Sequence, residues 1–338
     1  MRLSAGFLPH PANTYDAHVI PVADLRSPTS VDDLVDALAT FGFVQLAGHG
    51  LDPAVVDGQR RAAEAFFALP PEVKARYEHP DPLANRGYRA RGSEALAYSL
   101  GDDTPADIFE SFNAGRDPGA ERSVLRQPTP WPEPDVPGFR AATLAAFDAF
   151  AGLAGRLDQL LGAVLGLPDL ADRCTAGPDM LAAIDYRPGP GGTEVSMDGQ
   201  MRMGAHTDYT SFTLLATEPV RGLQILGPNG DWIDVIPEAG NLLMNVGDLL
   251  AIWTNDTWPS TLHRVIPMRL GGEAVRRTTA FFHYPDLDVT VEPLATFVED
   301  RASRYQPISV EAHQLGKVAA PKTGDMPTSQ LTVGDRTV

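Results

Sequence analysis

His206 and Asp208, two positions apart, and His263 further along the chain have the types and spacing of a metal-ligand set. In an extended segment residues i and i+2 project to one face, so His206 and Asp208 can bind one ion together while Thr207 turns away. Two imidazoles and a carboxylate on one face of an octahedron leave three positions open, the donor set of non-haem Fe(II) oxygenases. Zinc usually prefers a closed tetrahedral set or a single open position. Behind this set lies Arg276-Arg277-Thr278. An arginine fork matches a carboxylate in two parallel hydrogen bonds, and a hydroxyl two places on adds another. Arg276 and Thr278 share a strand face and suit the far carboxylate of a keto-acid co-substrate. Arg277 becomes the clamp if the register differs by one. His-X-Asp alone occurs by chance in many proteins; the joint pattern carries the reading.

These groups need a scaffold that holds distant segments together. Apolar runs at 181–184, 212–216, 223–226, 232–236, 242–246, 249–253 and 279–282 are short and separated by turn signals, among them Pro228-Asn229-Gly230. Many short strands at close spacing predict a sandwich or barrel. His263 then follows a strand at 249–253. In the first half, residues 19–22 and 43–46 read as strands flanking a helix that begins near Ser30, and 53–68 reads as a second helix opened by Pro53. Residues 79–137, rich in Pro and Gly, predict loops and short elements. Over 138–166, Leu144, Phe147, Leu157, Leu160, Leu161 and Val164 recur at helical spacing, as in a helix covering a sheet. The expected fold is mixed α/β and mainly β: a double-stranded β-helix (jelly roll) core with a helical N-terminal lobe and a long supporting helix. Residues 15–125 form the lobe in this reading, 138–166 the helix and 178–295 the catalytic domain. Residues 321–338 are polar and expected to fray.

The chain has 338 residues, 43% of them apolar, enough for a sizeable core. A net charge of −17 argues against a nucleic-acid-binding surface. No apolar run approaches the roughly 20 residues that cross a bilayer, and the N-terminus lacks the pattern of a secretory signal. With Cys174 as the only cysteine there is no internal disulfide, which suits a cytoplasmic location. No association motif is visible, so neither an obligate protein partner nor an oligomer is expected. Of the other histidines, His49 reads as part of a turn, and His283 could face the pocket but shows no acidic partner. His10, His18, His79 and His313 read as exposed.

The chain resembles the Fe(II)/2-oxoglutarate dioxygenases of the isopenicillin N synthase-like group over roughly residues 15–295. Ile20-Pro21-Val22-Ala23-Asp24-Leu25 looks like that family's opening strand. Phe41-Gly42-Phe43-Val44-Gln45-Leu46 with Gly48-His49-Gly50, and Phe66-Phe67-Ala68-Leu69-Pro70, look like its next two motifs. Gly87-Tyr88 followed by Asp107-Ile108-Phe109-Glu110-Ser111-Phe112 is similar to a further stretch. Gly204-Ala205-His206-Thr207-Asp208, Gly222-Leu223-Gln224, Asn245-Val246-Gly247-Asp248 and His263-Arg264-Val265 match its catalytic half. Arg276-Arg277-Thr278 stands where the family usually has Arg-X-Ser, and the hydroxyl is preserved. Ile184-Asp185-Tyr186-Arg187-Pro188 departs from the usual pattern, so either Tyr186 or Arg187 meets 2-oxoglutarate.

The resemblance implies an oxidoreductase that uses Fe(II), 2-oxoglutarate and O₂. It would oxidise a small molecule by hydroxylation, desaturation or cyclisation, with release of succinate and CO₂. His206, Asp208 and His263 would hold iron, and Arg276 and Thr278 the co-substrate. Tyr209, Tyr88, Arg86, Phe109 and Phe112 are candidate substrate contacts, and a small natural product or amino-acid-derived acid is the expected substrate. The rival readings are an oxygenase of the same fold that needs no 2-oxoglutarate, a non-catalytic small-molecule-binding jelly roll, and a zinc hydrolase.

Overall fold

The short apolar runs of the second half pair into two sheets with a core between them. The computed structural model describes residues 20–97, 104–119, 123–187, 200–267, 276–299 and 301–323. In chain order its elements are β1 (Val22–Asp24), α1 (Ser30–Phe41), β2 (Phe43–Ala47), α2 (Pro53–Phe67), α3 (Pro71–Lys74), β3 (Gly87–Arg89) and β4 (Glu110–Ala114). There follow α4 (Phe139–Leu165), β5 (Met180–Asp185), β6 (Met203–His206), β7 (Phe212–Thr217), β8 (Leu223–Leu226), β9 (Trp232–Asp234) and β10 (Leu242–Val246). The last are α5 (Asp248–Trp253), β11 (His263–Val265), β12 (Arg277–His283), β13 (Thr290–Val291), β14 (Ile308–Ser309) and α6 (Val310–Thr323).

The larger sheet runs β1-β2-β10-β7-β12-β5-β4-β3 and the smaller β6-β11-β8-β9. Within these two sheets every pairing is antiparallel except β1 with β2. This is the expected jelly roll, its larger sheet extended by strands of the N-terminal segment. Strand β5 shows why the apolar runs are unbroken: all six residues are buried. Ala182 and Ile184 face the core between the sheets, whereas Leu181 packs on the outer face. A strand covered on both sides reads as a continuous hydrophobic run.

Helix α4 covers that outer face. Phe147, Phe150, Leu153, Leu157 and Leu161 lie on its buried stripe. Phe147 and Phe150 meet Phe281 of β12 at centroid distances of 5.2 and 5.9 Å. Helix α1 ends at Gly42, whose φ of 65° is left-handed. A Cβ there would lie 2.3 Å from the Pro259 carbonyl oxygen, so the turn into β2 needs glycine.

Several expectations are corrected. Residues 249–253 are not a strand but most of α5, buried throughout. A five-residue apolar run has no period to separate strand from helix. The first strand is Val22–Asp24 rather than 19–22, and residue 19 lies outside the described residues, as do His10 and His18. Helix α6, unforeseen, includes 321–323 of the supposed tail; 324–338 lie outside the described residues. His313 is buried, not exposed, because it lies on the inner side of α6, where its ring is 3.6 Å from the buried Asp248.

Lys317, one turn further along α6, is 1% exposed and lies 3.5 Å from the same carboxylate. Burial alone would raise the Asp248 pKa, but Lys317 and His313 outweigh it and hold the carboxyl well below its usual range. That contribution to stability is present at neutral pH and lost as pH falls below the ordinary carboxylate range. Lys317→Met, which leaves a buried carboxylate short of its cation, is expected to destabilise the fold by roughly 3–5 kcal/mol. Urea denaturation at neutral pH measures this, and the deficit should narrow in acid as Asp248 protonates.

Candidate active site

Strand β6 ends at His206 and β11 begins at His263, and the two are direct partners in the antiparallel register. Their rings lie 4.3 Å apart between centroids. Asp208 follows in the turn after β6, its main-chain carbonyl accepting the Asp248 N–H at 2.8 Å. Its Oδ1 stands 3.8 Å from both His206 Nε2 and His263 Nε2. The second-half strands thus bring together the three residues singled out from spacing, all buried.

Neighbours fix which atoms face inward. His206 Nδ1 lies 2.8 Å from the Gly204 carbonyl and His263 Nδ1 3.1 Å from the Thr261 carbonyl. Each Nδ1–H therefore donates to a main-chain oxygen, leaving the Nε2 lone pair for a metal. Asn245 Nδ2 donates to Asp208 Oδ2 at 2.7 Å and turns Oδ1 toward the imidazoles. Burial, and after it the charge of His263, pull the His206 pKa well below the ordinary value, so the ring stays a neutral donor. Phe43 closes edge-on against His263.

The triad opens on a cavity of about 140 Å³ between the sheets. Arg276, Thr278, Tyr186, Tyr209 and Phe109 all line it. Arg276 is 2% exposed and donates from Nη1 to the Val220 carbonyl at 3.0 Å. Its Nε has no hydrogen-bond partner and no carboxylate pairs with it among the described residues. Burial lowers its pKa. A buried guanidinium facing a cavity with unused donors fits a bound carboxylate. Tyr186 places its ring under Arg276, 5.9 Å from the guanidinium carbon. Thr278 donates to Thr217 Oγ1 at 3.0 Å.

Arg277 occupies the opposite face, bound to Glu64 at 2.8 Å, so the alternative clamp is displaced from the cavity. Arg187 pairs with Asp185 at 2.7 Å and does not line the cavity, unlike Tyr186. Three candidate substrate contacts are likewise placed elsewhere. Arg86 is a buried brace donating to the Asn85, Leu125, Pro178 and Asp179 carbonyls. Tyr88 and Phe112 are register partners on the outer face of the sheet. Tyr88 donates to Glu110 at 2.7 Å, and both rings pack around Phe66.

The residues of the first half also match a model of the non-haem dioxygenase N-terminal domain (described for morphine synthesis) over 20–134. Residues 178–285 match the 2OG-Fe(II) oxygenase superfamily. The 2-oxoglutarate-dependent dioxygenase frbA of Dothideomycetidae sp. (strain 11243) is 31% identical, over 80% of this chain and 84% of its own. The 2-oxoglutarate-dependent dioxygenase htyE of Aspergillus rugulosus is 32% identical, over 79% of this chain and 85% of its own. This chain belongs to the 2OG-Fe(II) oxygenase superfamily. A solved relative, a full-length Neurospora crassa protein in complex with alpha-KG, superposes with a TM-score of 0.75. It is 28% identical, and the match covers 91% of this chain and 98% of that one. The protein is thus an oxidoreductase of the 2-oxoglutarate-dependent dioxygenase type, using Fe(II), 2-oxoglutarate and O₂ on a small molecule. Among the described residues no helix is long and apolar enough to cross a membrane.

Sequence reasoning left several of this oxygenase's cavity residues unread. Asn245 does not line the cavity but orients Asp208 from behind, and its signal is a lone amide in the apolar strand Leu242–Val246. Ser111 and Asn113 of β4 and Thr213 and Thr217 of β7 line the cavity. Ser111 and Asn113 are two apart and Thr213 and Thr217 four apart, so each pair shares one face of its strand. Tyr284, just past β12, lines it as well. For a metal held by the triad, Asn245→Ala removes the group that orients Asp208. Anaerobic Fe(II) titration is expected to show roughly 10- to 100-fold weaker binding.

Proposed function

We propose that His206, Asp208 and His263 hold Fe(II), that Arg276 with Thr278 takes the far carboxylate of 2-oxoglutarate, and that Tyr186 backs that slot. Phe109 and Tyr209 then present the wall that the oxidised substrate touches. The observation that carries this reading is the buried Arg276 guanidinium, which has no carboxylate partner among the described residues and lines the cavity that also contains the converging Nε2 and Oδ1 atoms. When bound, Fe(II) with 2-oxoglutarate supplies O₂ activation coupled to decarboxylation to succinate and CO₂.

The chain's own residues do the positioning. The Gly204 and Thr261 carbonyls hold the two imidazoles, and Asn245 holds the carboxylate, so the ligand geometry exists before metal arrives. Arg276 and Thr278 fix one end of the keto acid, which sets the direction of its chelating end. Apolar residues from both sheets, among them Leu215, Leu223, Val265 and Ala280, keep water from the reacting centre.

The substrate reading is a small molecule with an apolar body and a neutral polar group. Phe109, Leu96 and Phe282 offer apolar surface, while Asn113, paired with Asn85 at 2.9 Å, offers an amide edge. Arg276 is the only cation among the described lining residues, and the co-substrate uses it. In the same reading the 178–295 segment is the catalytic domain, 138–166 its support and 15–125 the lobe. The enzyme works in the cytoplasm, on a small molecule, without nucleic acid or an obligate protein partner.

Asp208→Ala is expected to abolish substrate-dependent succinate release; full activity in that variant would sink the iron assignment. Arg276→Gln should raise the KM for 2-oxoglutarate at least 10-fold, since a charge-assisted bidentate contact is lost, whereas Arg277→Gln should leave it within about twofold. Steady-state kinetics with varied 2-oxoglutarate compares the two, and equal effects would remove Arg276 from its role.

A further inference from the structure

On the face of the larger sheet opposite the iron cavity, a second set of ligand-type side chains converges. Asp158 comes from α4, Cys174 from the turn after it and His283 from the end of β12, with their ligand atoms all within 4.8 Å of one another. The period of two that points Thr278, Ala280 and Phe282 into the cavity points His283 outward under α4. His283 therefore does not face the active site, and acidic partners surround it, contrary to the sequence expectation. Its Nε2 lies 2.8 Å from Asp158 Oδ2 and its Nδ1 3.2 Å from Asp179 Oδ2. The other oxygen of Asp179 accepts the Tyr284 main-chain N–H at 2.8 Å, which fixes that carboxylate.

Asp158 is 1% exposed, yet its Oδ1 has no hydrogen-bond partner. A buried carboxylate oxygen without a donor is costly, so it marks a position where a cation or proton donor belongs. Asp158, Cys174, Asp179 and His283 line a polar cavity of about 560 Å³, which gives water and ions access.

We propose that Asp158, Cys174 and His283 form a second metal site, for a zinc-type divalent cation, separate from the iron centre. A thiolate, an imidazole nitrogen and a carboxylate are a zinc donor set, and a water from the cavity completes the tetrahedron. Asp179 is a positioning residue: it accepts the His283 Nδ1–H and leaves Nε2 to the metal, the usual support of a metal-binding histidine. The iron triad contains no sulfur, so the two sites differ in softness and sort different metals. Without a metal, His283 is held between two carboxylates and burial pushes the Cys174 thiol up to about 11. Binding exchanges the proton on His283 Nε2 and the thiol proton for one divalent cation, so the buried charge does not change. The bound ion would cross-link α4, the turn Ala171–Cys174 and β12.

Cobalt(II), a spectroscopic stand-in for zinc, tests this on the full-length, metal-stripped protein under anaerobic conditions. Cys174 is the only cysteine, so a thiolate-to-cobalt charge-transfer band can arise only at this site. The expected result is two cobalt ions per chain with that band, and loss of the band when zinc is added. Cys174→Ser should lose the band and one equivalent while retaining 2-oxoglutarate turnover. His206→Ala should lose the other equivalent and keep the band, which separates failure of this site from failure of the iron reading. A single equivalent without the sulfur band overturns the proposal. So does a Cys174 thiol that reacts with a labelling reagent equally fast with and without zinc, a readout that needs no variant to fold.

Discussion

The antiparallel register that sets His206 opposite His263 is the constraint on which the rest of the structure depends. A slip of one residue in β11 would swing one imidazole to the other face of the sheet and empty the site. Such a short strand cannot hold register alone, so the pairing of β11 with β8 on its other edge is part of the lock. The turn bearing Asp208 is secured from a different direction. A Cβ at Gly247 would lie 2.2 Å from the Thr210 carbonyl, so the start of α5 presses main chain against main chain beside the ligand carboxylate. Two sheets and a helix thus meet within a few residues of the metal-binding atoms.

That convergence buries groups that a fold optimised only for stability would leave in water. The interior holds two imidazoles, the Asp208 carboxylate and the Arg276 guanidinium, the last without an ion-pair partner among the described residues. Each opposes folding unless a neighbour or ligand satisfies it. The neighbours are main-chain carbonyls and one amide, all on strands or adjoining turns, so the donors are preorganised rather than gathered by the ligand. The cavity's polar lining is ordered the same way, with Thr217 and Thr278 linked across the β7–β12 ladder.

Much of the candidate site was legible in the sequence because part of its information is local: His206 and Asp208 at strand spacing, and Arg276 and Thr278 at strand spacing, with His263 added from a distant segment. The sheet was legible wherever a run could be read by period, and β5, β7, β8, β10 and β12 lie within a few residues of their expected places. Where the run was short and wholly apolar, as at Leu249–Trp253, period carried no information and α5 was misread. Long-range partners were the other blind spot. Nothing local to His283 announces Asp158 on α4, and nothing local to His313 announces Asp248. Arg86 and Tyr88 sit near a family-like motif, yet the β3–β4 register, a tertiary fact, turns Tyr88 away from the cavity.

Helix α6 gives the pocket a back wall. Lys317 lies 5.6 Å from the centre of the Tyr209 ring, and Gln314 meets the Tyr284 hydroxyl, so both tyrosines that line the cavity lean on it. Every iron-ligand candidate precedes this helix in the chain. The metal-ligand candidates and the residues that steady the two tyrosines thus lie in separate stretches of the chain. A change in α6 therefore reaches the cavity wall through Tyr209 and Tyr284 while leaving the three metal-ligand candidates untouched.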